Sequence, residues 1–151
     1  MSIATSLDRV PPQNLDAEQG VLGSMLLDRD AIARVVELIR AEDFYRDAHR
    51  RIYEAMTDLF ERGEPVDLIT VTDRLRDKGQ LDDVGGAAYV TSLLNSVPTA
   101  ANVEYYSRIV LQKSMLRQLI SAGTQIAQMG FEANQDVELL VDQAEKLVFS
   151  I

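Results

Sequence analysis

The chain contains no cysteine and no tryptophan, only one histidine and four prolines, and no long apolar run. Without cysteine there can be no disulfide, no thiolate metal site and no thiol nucleophile. A single histidine, His49, is too few for a nitrogen-rich metal site, and any Ser-His-Asp arrangement would have to be built on it. Apolar runs are a few residues long, against the ~20 that cross a bilayer. The opening MSIATSLDRVPPQ has neither a basic start nor an apolar stretch, so no signal peptide and a cytoplasmic location are expected. Basic residues are also in short supply, 15 Lys and Arg against 24 Asp and Glu, for a formal net charge of −9. That balance disfavours holding nucleic acid by its phosphates and favours a basic partner protein.

What is present is an ordinary globular composition, 46% hydrophobic over 151 residues, which suits one domain or a compact head with an appendage. The last third organises the rest. TAANVEYYSRIVLQKSMLRQLISAGTQIAQMGFE reads as one helix of about eight turns. A polar break at Glu132-Ala133-Asn134-Gln135-Asp136 precedes a second helix, VELLVDQAEKLVFSI. Two helices joined so closely predict an antiparallel hairpin. On the long helix, Tyr105, Ile109, Leu116, Leu119, Ile120, Gly123, Ile126 and Ala127 share one face. Leu111, Met115, Ala122 and Met129 form a second seam offset from it. The shorter helix offers one stripe: Val137, Leu140, Val141, Ala144, Leu147, Val148 and Ile151. One seam of the long helix is therefore expected to remain for the rest of the chain or for another copy.

The predicted organisation is a flexible lead-in over 1–13, an all-helical head over 14–98 and the hairpin over 99–151, an all-α fold. Asn14 or Asp16 can cap a first helix to about Leu27, with Leu15, Leu22, Met25 and Leu26 available for burial and Glu18 placed early against the dipole. Gly20 and Gly23 within it suggest close helix approach, because the strand that a phosphate loop needs is missing. A second helix buries Ile32, Val35, Val36 and Ile39, and Phe44 and Tyr45 follow in a turn. The third, about 47–62, buries Ile52, Ala55, Met56, Leu59 and Phe60 and stops at Gly63. Asp67 caps a fourth carrying Leu68, Ile69, Val71 and Leu75, although Ile69-Thr70-Val71-Thr72 would also suit a strand. A fifth helix spans about 87–95, and Thr99 is a candidate cap for the long helix. The end at Val148-Phe149-Ser150-Ile151 is still in helical register, which suggests a piece of something longer.

No catalytic, cofactor or metal site is expected. His49 lies near Asp43, Asp47 and Glu54, but the residue three before it is Arg46, so the Glu-x-x-His of di-metal bundles is absent. A metal-dependent hydrolase centred on His49 is accordingly disfavoured, and the residue reads as a satisfied or surface histidine. There is no G-x-S-x-G and no P-loop. Core packing accounts for Tyr105 and Tyr106, whereas Tyr89, after Gly85-Gly86, fits either a core plug or an exposed anchor.

Three stretches resemble a known family: PPQNLDAEQGVLGSMLLD, EDFYRDAHRRIYEAMTDLFERGEPVDLITVTDRL and GGAAYVTSLLNSVPTAANVEYYSRIV. They are similar to the N-terminal domain of the bacterial replicative DNA helicase of the DnaB type, from about Val10 to the chain end. The resemblance implies a non-catalytic collar domain, followed in the parent by a RecA-like ATPase domain that uses ATP and magnesium. It implies that hairpins pair as dimers within a hexameric ring and that the collar receives the C-terminal helicase-binding domain of primase. A helicase loader is a further candidate partner, DNA would be bound weakly if at all, and no membrane is involved. On this resemblance Leu111, Met115, Ala122, Met129, Ile120 and Ile126 would form the oligomer interface. Tyr89, Ile120 and Ile126 would face primase. Gly20 and Gly123 stand where other residues would suit a helix better, which points to closer packing there. The alternative is a stand-alone helical adaptor or dimerisation protein with no helicase link.

Overall fold

The computed structural model describes residues 9–151. Most of the expected lead-in, residues 1–8, lies outside the described residues. Its end is tied down, because the Arg117 guanidinium donates to the Pro12 carbonyl at 2.8 Å. Every regular element among the described residues is helical: α1 (Leu15–Leu27), α2 (Arg29–Leu38), a 3-10 turn (Ala41–Asp43), α3 (Asp47–Glu61), α4 (Leu68–Asp77), α5 (Gly86–Leu94), α6 (Val103–Glu132) and α7 (Val137–Phe149). Contacts divide them into two compact units. One is Gln13–Gln112; the other is Lys113–Ile151 with the segment ending at Pro12.

In the first unit α1 is the central helix, packed against α2, α3 and α5. Its sequence explains the position: Ala17, Gly20, Val21, Leu22, Gly23, Ser24 and Met25 are small or apolar on nearly every side, and all are buried. Full burial of Leu22 or Met25 stabilises by about 1.5–3 kcal/mol each. Asn14 is the cap, accepting from the Ala17 N–H at 2.9 Å. The two glycines mark close approach, as expected. A Cβ at Gly20 would sit 2.8 Å from the Tyr106 ring. One at Gly23 would collide with the Leu93 carbonyl oxygen and lie 2.6 Å from Ser96 Oγ.

Local signals set the remaining boundaries. Asp28 ends α1 and caps α2, accepting from the Asp30 N–H at 2.9 Å. Helix wins over strand at 68–77 because Asp67 and Thr70 form a reciprocal capping box and Gly79 closes the far end at φ +69°. Val71 and Leu75, four apart, then share the buried face. Three residues expected inside are not: Val36, Ile69 and Tyr105 are exposed, as is Tyr45 of the turn. Tyr105 is 67% exposed because the buried stripe of α6 runs through Val103, Ser107 and Val110. A residue two places from Val103 points about 200° away from it. Tyr106 takes the inward place instead, against Gly20. Thr99 does not cap α6; its hydroxyl accepts from the Ala101 N–H at 3.0 Å in the turn before the helix starts at Val103.

In the second unit α6 and α7 form the expected hairpin. Ile126, near the end of α6, shares a groove with Val141, Ala144 and Val148. Helices joined by a short turn make that pairing only when antiparallel. The covered and open positions follow neither of the two expected seams intact. Ala122, Ile126 and Met129, at i, i+4 and i+7, are buried or half-buried, while Leu116, Leu119, Ile120, Gly123 and Ala127 are exposed. On α7 the covered stripe is Leu140, Ala144 and Leu147; Val137, Val141 and Val148 are exposed. Gly123 has open space where a Cβ would stand, so it serves no close packing.

Candidate functional site

The first unit holds one buried polar network. Glu18 and His49 are 1% and 0% exposed. Glu18 Oε1 lies 2.7 Å from His49 Nδ1, and Oε2 accepts from the Tyr45 N–H at 2.8 Å. Oε1 also takes a longer bond, 3.4 Å, from the Arg46 N–H. With only donors converging on the carboxylate, Nδ1 carries the imidazole proton. Nε2 lies 2.6 Å from the Tyr89 hydroxyl, and the two rings are nearly parallel, 14° apart. The hydroxyl oxygen also receives Arg46 Nη1 at 3.3 Å and Gln19 Nε2 at 3.5 Å. The hydroxyl thus gathers three side chains, with the contact to Nε2 the shortest. The Arg46 guanidinium lies over the Tyr89 ring, 5.1 Å from its centroid.

This network ties α1, α3 and α5 together and ends at a half-buried tyrosine beside an exposed arginine. Tyr89 is thus both plug and surface group. Of the two readings of His49, satisfied or surface, the structure has the satisfied one. Both ring nitrogens are engaged, and among the described residues no group of three or more His, Asp or Glu could hold a metal ion. Glu18 was missed by the sequence reading, which placed it against the helix dipole. The available signal was its register: three, four and seven residues before Val21, Leu22 and Met25, it lies on the apolar face. A carboxylate there needs a buried partner. A second buried group, Tyr53, donates to the Ile39 carbonyl at 2.8 Å. Burial first, then the carboxylates Asp43, Glu42 and Glu61, pushes its hydroxyl up to about 12.

The hairpin residues singled out from the sequence do not share one surface. Ala122 is buried, Met129 and Ile126 are half-buried between the hairpin helices, and Leu111 packs on the core of the first unit. Met115 and Ile120 are exposed, at 43% and 49%. Leu116 and Leu119 complete an open apolar stripe with them. No helix among the described residues is long and apolar enough to cross a membrane.

Comparison with known proteins gives this geometry a context. Residues 10–112 match the model of the DnaB-like helicase N terminal domain. The replicative DNA helicase DnaC of Bacillus subtilis is 50% identical over 144 residues, which are 95% of this chain and 32% of that protein. The chain thus spans about a third of the length of such relatives. Among solved structures, the N-terminal domain of DnaB helicase from Mycobacterium tuberculosis superposes with a TM-score of 0.91 at 48% identity, covering 94% of this chain and all of that one. A DnaB-like replicative helicase, solved to describe its interactions with primase, matches with a TM-score of 0.75 at 28% identity, over 91% of this chain and 31% of that one. The all-helical fold is thus shared over nearly the whole chain, and the chain belongs to the DnaB-like helicase N-terminal domain family.

Proposed function

We propose that this chain is the non-catalytic collar domain of a replicative DNA helicase, pairing with other copies through its hairpin and docking primase during DNA replication. The observation that carries the reading is the open stripe of Met115, Leu116, Leu119 and Ile120 on α6, in a chain of net charge −9. Four large apolar side chains side by side on an acidic molecule suit a surface that is covered in use. Likeness to a helicase solved with primase interactions supports the docking half. In this reading Ile120, with Met115, lies at the pairing surface. Tyr89 meets the helicase-binding domain of primase, with Ile120 and the exposed edge of Ile126. Ala122 and Met129 stiffen the hairpin behind its pairing surface, and Leu111 serves the core of the first unit. ATP and magnesium are handled by the RecA-like domain of the whole helicase, and the hexamer is built from hairpin pairs. A helicase loader is a further partner of the same collar. DNA contact by this part is feeble and lost at modest salt.

Sedimentation of the chain and of Leu116→Asp/Ile120→Asp tests the pairing. Concentration-dependent association that the double variant abolishes supports it; identical behaviour of the two proteins refutes it. Calorimetric titration with the primase C-terminal domain, using Tyr89→Ala as control, tests the docking.

A further inference from the structure

Glu18 and His49 are too deeply buried to touch a partner, yet their network ends on the tyrosine proposed to do so. Burying a carboxylate costs several kcal/mol unless it is fully bonded. An apolar residue at position 18 would avoid that cost but leave His49 Nδ1 and the Tyr45 and Arg46 N–H groups without their acceptor. The network is also closed. Glu18 holds the Arg46 N–H and His49, His49 holds the Tyr89 hydroxyl, and Arg46 returns to that hydroxyl while its guanidinium covers the ring. Gly85, at φ +105°, keeps the other flank clear, since a Cβ there would lie 2.9 Å from Tyr89 Cβ.

We infer that Glu18 and His49 are positioning residues: through the Tyr89 hydroxyl they pre-set the Tyr89 ring and the stacked Arg46 guanidinium for a protein partner, an inference that rests on the docking reading above. A tyrosine already held in one pose loses less conformational freedom when it is covered. Such ordering is worth about 0.5–1.5 kcal/mol per side chain, up to roughly tenfold in affinity. The partner surface it fits has an apolar slot for the ring and an acidic or carbonyl group for Arg46.

The chain has one histidine, so 15N-histidine spectra report His49 alone. The expected spectrum has both ring nitrogens held in hydrogen bonds, with the Nε2 signal shifted by Tyr89→Phe. Affinity for the primase C-terminal domain is then measured for wild type, Tyr89→Ala, Tyr89→Phe, His49→Gln and the Tyr89→Phe/His49→Gln pair. The expected result is a loss of about five- to tenfold for Tyr89→Phe and for His49→Gln, with the pair no weaker than the worse single variant. Tyr89→Phe removes one oxygen from a half-buried position, so it decides the matter even if His49→Gln fails to fold. Weak binding by Tyr89→Ala with full affinity for Tyr89→Phe overturns the positioning role alone. Losses that multiply in the pair overturn it too, since His49 would then act independently of the hydroxyl. Full affinity for Tyr89→Ala, or no binding by the wild type, overturns the docking reading and the inference with it.

Discussion

Two glycines in helices should respond to alanine with opposite signs. Glycine in a helix interior costs about 1 kcal/mol relative to alanine, so Gly→Ala is stabilising where nothing intervenes. At Gly123 a Cβ meets no atom within 4 Å. Gly123→Ala should therefore gain about 1 kcal/mol in the stability of the hairpin. At Gly23 the same methyl would overlap the Leu93 carbonyl oxygen and press on Ser96 Oγ at 2.6 Å. The carbonyl is backbone of α5, and Ser96 Oγ is itself bonded to the Leu93 carbonyl at 2.6 Å and the Gln19 carbonyl at 3.3 Å, so neither yields cheaply. Overpacking of this kind costs about 1–3 kcal/mol, more where main chain must move. Because the clashing atom is main chain, the upper end applies, and against the propensity gain the net for Gly23→Ala is a loss of about 2 kcal/mol. Urea unfolding followed by far-UV circular dichroism suits a chain without tryptophan, with thermal midpoints moving about 2–4 °C per kcal/mol. A Gly23→Ala variant as stable as the parent would refute the close-approach account of α1.

Three other outcomes follow from the same structure. Glu18→Ala strips acceptors from His49 Nδ1 and the Tyr45 and Arg46 N–H groups; it should destabilise by about 3 kcal/mol or more, and a loss under 1 kcal/mol in urea would show the network to be idle. Because the folded-state value for Tyr53 lies above the ordinary 10, the unfolded chain releases that proton first. Its contribution is intact below pH 10 and is lost between pH 10 and about 12, by about 1.4 kcal/mol per pH unit. Urea midpoints of wild type and Tyr53→Phe should accordingly converge across that window, and parallel pH profiles would contradict the assignment. Asn14→Ala removes the cap of α1 and should cost about 1 kcal/mol, read as the difference in urea unfolding free energy.

Membership of the DnaB-like family removes the alternative of an adaptor with no helicase link. It leaves the surfaces to be understood from the residues themselves. An acidic domain with an open apolar stripe on α6 and a tyrosine tied to a buried network offers two different kinds of contact. The stripe buries area without much direction, whereas Tyr89 and Arg46 present a fixed planar pair. The first suits pairing of like subunits; the second suits recognition of a distinct partner.

Much of the fold was settled by local chemistry that needs no neighbours. Asn14, Asp28 and Asp67 cap helices because their short side chains reach free N–H groups, and Gly63 and Gly79 end helices because they alone adopt positive φ cheaply. The hairpin followed from a long apolar period, a polar break and a second period. Tertiary structure decided what local chemistry leaves open. Periodicity locates an apolar stripe on α6 but does not say which stripe meets α7, so Ala122 proved covered and Leu119 open. It places Tyr105 and Tyr106 together at the foot of a helix, and only the approach of Gly20 selects Tyr106 for burial. Glu18, His49 and Tyr89 are 31 and 40 residues apart in the chain. Register marks Glu18 as a carboxylate on an apolar face but names no partner, and the chemistry of the three exists only because α1, α3 and α5 bring donor and acceptor within hydrogen-bond distance where water cannot compete.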